Sequence, residues 1–164
     1  MPGQTHRRSR SQRLVAALLL ATLLTPLAAG AAEAPELRSL DGPSLRWNEL
    51  DEGDWIVVVW AGWSPRCRDI VTRVNRIEER WGKRARVVTI NFQEEASAAR
   101  QFLRGQELRA PVYLDLDAGF SKRQSISHLP GLLVKRGGET TFVGQLPRDA
   151  ESVIERALTP PAGS

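Results

Sequence analysis

The sequence predicts an α/β domain: a central mixed β-sheet flanked by helices, entered through a short N-terminal β-hairpin. Three observations carry this. Two apolar runs, Trp55–Trp60 and Arg86–Phe92, are each followed by a helical pattern, the alternation that builds parallel strands. The first of them, Trp-Ile-Val-Val-Val-Trp, is apolar at every position, as befits a central strand covered on both faces. A hairpin signal and a last helix close the chain, which makes the sheet mixed.

The elements follow in order. Residues 37–40 and 45–47 read as short strands about the turn Asp41-Gly42-Pro43. Asn48 is placed to cap a helical turn that runs to Asp51. After the first buried strand, Ser64-Pro65 is a good helix start, since Ser caps well and Pro suits the first helical position. The helix is expected to reach Trp81. Residues 94–104 form an amphipathic pattern ended by Gly105. Residues 111–116 look extended, and Asp117 is placed to cap a helix over 118–126. Residues 132–134 and 140–143 flank Lys135-Arg136-Gly137-Gly138-Glu139, a hairpin signal. Residues 147–158 close as a helix with Val153, Ile154 and Leu158 inward, and 159–164 read as a flexible tail.

The first thirty-one residues are different in kind. Arg7, Arg8, Arg10 and Arg13 precede an apolar run from Leu14 to Leu24, then Pro26 and a string of small residues. That is the order of a secretory signal, with Ala29-Gly30-Ala31 as the cleavage site. Residues 1–31 are therefore read as a signal peptide and 32–158 as the folded domain, in the periplasm or secreted. The alternative is an uncleaved anchor, because the apolar stretch approaches a membrane span. The Arg7-Arg8 pair lacks the apolar residues that twin-arginine export expects just after it.

Charge is unevenly placed. Of 23 Lys and Arg, four lie in residues 1–31, where there is no acid, which leaves 19 basic residues against all 19 Asp and Glu. The basic pI belongs to the leader, and nothing in it points to nucleic acid. The single cysteine, Cys67, cannot form an internal disulfide. With His128 the only histidine past the leader, a zinc site cannot be completed. No metal and no cofactor is expected.

The informative segment is Trp60-Ala61-Gly62-Trp63-Ser64-Pro65-Arg66-Cys67. A buried strand runs into a two-Trp turn and then a helix whose first turn ends in Cys67. Farther along stand Pro111-Val112-Tyr113-Leu114-Asp115 and Leu129-Pro130-Gly131-Leu132-Leu133-Val134 with Gly137-Gly138 behind it. Near the start come Leu40-Asp41-Gly42, Leu45, Trp47 and Leu50. In these pieces, their order and their spacing, the chain resembles the thioredoxin superfamily, most closely the TlpA/ResA-type periplasmic thiol-disulfide oxidoreductases. The resemblance covers most of residues 32–158 and implies a thioredoxin-like fold. It also implies that Pro130 is the cis-proline facing the helix tip, and that Leu129 presents backbone groups to an extended peptide.

The departures bear on function. The family reads W-A-x-W-C-x-x-C where this chain has Ser64 and Cys67. The first family cysteine, activated at the helix N-terminus, attacks a substrate disulfide and the second resolves the mixed disulfide. A serine hydroxyl is hardly ionised at neutral pH and forms no such intermediate. By the resemblance, two acids that move protons in the superfamily fall at Val58 and Ile70. Cys67, Ile70, Val74, Ile77 and Trp81 lie at helical spacing on one apolar stripe, so Cys67 points inward. Two readings of it stand: a buried small hydrophobe, or a thiol that bonds a partner. Ser64 is either a helix cap or a polar contact to a ligand. Trp63 is either part of an exposed apolar platform or packed. His128 either faces the site or is a surface residue. Arg73, Arg76, Arg80 and Arg84 share a helix side that either is solvated or meets an anionic partner.

The expectation is an exported thioredoxin-like protein, without dithiol activity, that binds a peptide or protein partner in the cell envelope through Trp63, Ser64, Pro65, Leu129 and Pro130. The alternative is an oxidoreductase of TlpA/ResA type working through Cys67 alone, with Ser64 at the degenerate nucleophile position.

Overall fold

The computed structural model describes residues 35–160. The leader at 1–31 and the end of the tail, 161–164, lie outside the described residues. The elements are β1 (Glu36–Ser39), β2 (Leu45–Arg46), β3 (Trp55–Trp60), α1 (Ile70–Trp81), β4 (Arg86–Phe92), α2 (Ala96–Phe102), β5 (Val112–Asp115), α3 (Gly119–Arg123), β6 (Gly131–Arg136), β7 (Glu139–Gln145) and α4 (Ala150–Leu158). Two 3₁₀ turns, Trp47–Asp51 and Pro65–Cys67, join them.

The seven strands form one sheet in the order β2-β1-β5-β4-β3-β6-β7. β3 pairs in parallel with β4 and antiparallel with β6; β4 and β5 are parallel, and β1 is antiparallel to both β2 and β5. All six residues of β3 are fully buried. Ile56, Val58 and Trp60 join a cluster with α1 and α4, while Trp55, Val57 and Val59 join a second with Ile90, Phe120 and Leu133. The α1 stripe packs as its spacing requires: Cys67, Ile70, Val74, Ile77 and Trp81 are all buried. Burying Ile70, Val74 and Ile77 contributes about 1.5–3 kcal/mol each.

Several local expectations change. Arg46, not Asn48, occupies the cap position of the first 3₁₀ turn. The helix expected from Ser64 to Trp81 is split, with a 3₁₀ turn to Cys67 and the α-helix beginning only at Ile70. α3 is shorter than expected, and its cap position is Ala118 in the left-handed region. Its first amides are held mainly by Asp115, whose two carboxylate oxygens accept from Phe120 N and Ser121 N at 3.1 and 2.9 Å. Asp117 accepts only from Gly119 N. α4 begins at Ala150, after Pro147, with Asp149 accepting from Ser152 N. Val153 is half-buried, whereas Ile154 and Leu158 are buried.

The β6–β7 hairpin turns through Gly137 and Gly138, both at positive φ (55° and 84°), the pattern of a two-residue type I′ turn. Gly138 N donates to Gly53 O at 2.8 Å. A Cβ there would run into the Asp51 carbonyl, whereas one on Gly137 would meet nothing. Gly138→Ala is expected to lower stability by more than Gly137→Ala, which carries only the left-handed penalty of about 1–2 kcal/mol. Urea unfolding midpoints of the two variants check the order.

Candidate functional site

The site is built where β3 ends. In an open α/β sheet, ligands bind beyond the carboxyl ends of the strands, where the strand order reverses. Here the chain leaves β3 for β4 on one side, while β6 pairs on the other. Gly62 and Trp63 form the turn. Ser64 N donates to Ala61 O at 3.2 Å, and Cys67 N to Ser64 O at 2.9 Å. Ser64 is buried and its hydroxyl makes no cap hydrogen bond, so it shapes the turn through its backbone and not as a side-chain cap. Pro65 sits at the first helical position, where its missing N–H costs nothing.

Trp63 is 60% exposed, the most exposed large apolar side chain among the described residues. It edges an open groove of about 580 Å³, lined also by Ser64, Pro65, Phe92, Ile126 and Leu129. His128 and Ser127 border it; His128 is exposed, its Nδ1 3.0 Å from Ser127 Oγ. The Leu129–Pro130 peptide bond is cis. Pro130 O accepts from Leu146 N at 2.8 Å, but the N–H and C=O of Leu129 have no hydrogen-bond partner among the described residues. Unpaired backbone beside a groove, next to the start of β6, is what β-strand addition uses.

Cys67 lies apart from this surface. It is fully buried and does not line the groove. Val58 and Ile70 are fully buried in the same apolar cluster as Cys67.

A polar latch behind the tip was not visible in the sequence. Glu94 Oε2 accepts from Gly62 N at 2.7 Å and from Asn91 Nδ2 at 2.6 Å. The space at Gly62 is tight: a Cβ would stand 3.1 Å from Glu94 Oε1 and from Phe102 Cβ, so these side chains would have to shift by a few tenths of an ångström to admit it. Trp60 packs on Phe102, ring centroids 5.1 Å apart. Glu94 follows a buried strand with no motif around it, and its partner is 32 residues away, so local pattern offers no signal. Phe92 and Ile126, also missed, read as ordinary core by hydropathy.

The arginine side of α1 is only partly open to solvent. Arg80 pairs with Glu151 at 3.1 Å and Arg84 with Glu155 at 3.5 Å, both on α4. Arg73 Nη2 donates to the carbonyls of Leu146 and Pro147 at 3.1 and 2.7 Å. Most of this row is thus taken up within the fold.

No protein-family model matches the sequence, and no curated protein matches it. Solved structures do. A thiol:disulfide interchange protein of the thioredoxin family from Chlorobium tepidum TLS aligns at 22% identity, covering 77% of this chain and 96% of its own, with a TM-score of 0.61. A secreted Mycobacterium tuberculosis disulfide oxidoreductase homologous to E. coli DsbE aligns at 16% identity over 75% and 93%, TM-score 0.63. The pneumococcal exposed lipoprotein thioredoxin of Streptococcus pneumoniae aligns at 17% over 75% and 96%, TM-score 0.64. The fold is thioredoxin-like. In this thioredoxin-like domain the Trp63 tip and the Leu129–Pro130 loop flank one groove, and the only cysteine stays beneath it.

Removing the Glu94 carboxylate strips Gly62 N and the buried Asn91 amide of their acceptor. Glu94→Ala is expected to cost about 1.5–3 kcal/mol in chemical denaturation, the range for hydrogen bonds to a charged group. Glu94→Gln, which keeps an oxygen in place, is expected to recover most of it.

Proposed function

We propose that this chain is an exported thioredoxin-like module that binds an extended peptide or protein partner in the cell envelope and does not perform dithiol exchange. The observation that carries the reading is the separation of groove from thiol. The groove between Trp63 and Leu129 is open and apolar, with Leu129 backbone unpaired beside it, while Cys67 is fully buried. An extended segment would add backbone hydrogen bonds at Leu129 and seat an apolar side chain against Trp63, Phe92 and Ile126. Export rests on the basic start, apolar run and small-residue site of residues 1–31.

Exchange through Cys67 alone is the weaker reading. A thiol attacks as thiolate and must reach the partner's sulfur, and Cys67 has no exposed surface. Ser64 occupies the position from which a first cysteine would attack, and no His or carboxylate hydrogen-bonds its hydroxyl among the described residues.

Insulin reduction is expected to stay at background with or without Cys67→Ala. Peptide capture is expected to be unchanged in Cys67→Ala and to fall at least about tenfold in Trp63→Ala, since exposed aromatic anchors dominate such surfaces. Insulin turnover that depends on Cys67, or capture indifferent to Trp63, would overturn the proposal. Native Cys67 is also expected to resist iodoacetamide from pH 5 to 10 and to label only on unfolding. Rapid labelling of the folded protein would restore the redox reading.

A further inference from the structure

We propose that the segment bound in the groove is acidic beside its apolar anchor, and that Arg66, Arg76 and Arg148 select it. This rests on the peptide-binding reading above and adds the chemistry of the ligand.

A second groove, of about 810 Å³, adjoins the first and shares Arg66 with it. Its walls carry Arg66, Arg73, Arg76 and Arg148 against a single acid, Asp69, with Pro130 among the remaining lining. The charge is local, because beyond residue 31 the chain has equal numbers of basic and acidic residues. Arg73 is committed to the carbonyls of Leu146 and Pro147 and holds the wall in place. The other three differ. Arg66, Arg76 and Arg148 are exposed, and among the described residues none has a carboxylate within 4.0 Å. Arg80, farther along α1, and Arg84, just past its end, do have such partners on α4. Three guanidinium groups in a concave wall, with no anion from the fold itself, form a site complementary to carboxylates, which guanidinium binds in fork geometry.

Continuity decides between classes of partner. The two grooves share Arg66 as a wall, so a chain lying along Leu129 and leaving past Arg66 would pass into the second. A peptide with apolar residues followed by Asp and Glu satisfies both halves. An anionic membrane would meet the arginines across the rim of a concave wall and leave the Leu129 backbone unpaired.

The test uses the purified protein and fluorescent peptides in which a Val-Leu-Val-Ala segment adjoins Asp-Glu-Asp-Glu, made in both orders, with counterparts carrying Asn-Gln-Asn-Gln. One acidic peptide is expected to bind at least about tenfold more tightly than its neutral counterpart, the preference shrinking in high salt. The double variant Arg76→Glu/Arg148→Glu is expected to remove that preference while leaving neutral-peptide binding and the thermal midpoint unchanged, both positions being exposed and unpaired. Arg76→Lys/Arg148→Lys is expected to keep part of it. Equal binding of both peptides, lost in Trp63→Ala, would overturn the acidic selection and leave the groove reading standing. Binding of neither would overturn both. Arginine-dependent capture of phosphatidylglycerol vesicles without peptide preference would overturn the proposal in favour of a lipid surface.

Discussion

Coverage of β3 on both faces is the constraint from which the rest of the structure follows. A strand whose six side chains are all apolar cannot lie at an edge or on a solvated face. It must have strands on both sides and helices or turns above and below. β4 and β6 supply the first, and the clusters centred on Ile56, Val58 and Trp60 and on Trp55, Val57 and Val59 supply the second. Because β3 is pinned on four sides, the turn at its carboxyl end is held in one place. The Trp63 tip projects from that turn, with Glu94 bonded to Gly62 N behind it.

The same packing sets the chemistry of the sulfur. The N-terminus of a helix favours an anion only at a group that its free amides and the solvent can reach. Cys67 is one turn into the helical segment, on the stripe with Ile70 and Val74, and so belongs to the core. The position nearest the tip holds Ser64, which contributes backbone hydrogen bonds to the turn. The tip presents an exposed indole, and the loop across the groove carries unpaired backbone at Leu129.

Charge is partitioned by the fold in a related way. Arg80 and Arg84 lie across α4 and meet Glu151 and Glu155, pairs that are exposed and worth little each. Arg73 bridges to the chain entering α4. In the middle of α1 no acid of α4 lies within 4.0 Å of Arg76, which is left to line a groove with Arg66 and Arg148. One helix thus carries arginines that fasten it and an arginine turned outward, although sequence spacing places them alike.

How much was legible follows from the range of the forces involved. Apolar runs of period two or none, and the stripe from Cys67 to Trp81, report burial directly, so the strand–helix order and the inward cysteine could be read from the chain. So could the hairpin at Gly137-Gly138, because its backbone demands positive φ. Capping at short helices is less legible: the cap of the first 3₁₀ turn lies two residues before Asn48, at Arg46, whose N–H donates to Glu49 within the turn, and α3 takes its acceptor from Asp115 at the end of β5. The sequence by itself determined the fold class, the presence of a single cysteine and the inward face of α1, since each is written in composition or local pattern. Only the tertiary structure decided the Glu94 latch, the pairing of Arg80 and Arg84, the unpaired Leu129 backbone and the two grooves that meet at Arg66. Each of these is made by residues brought together across the sheet end, where distance in the chain carries no information about contact.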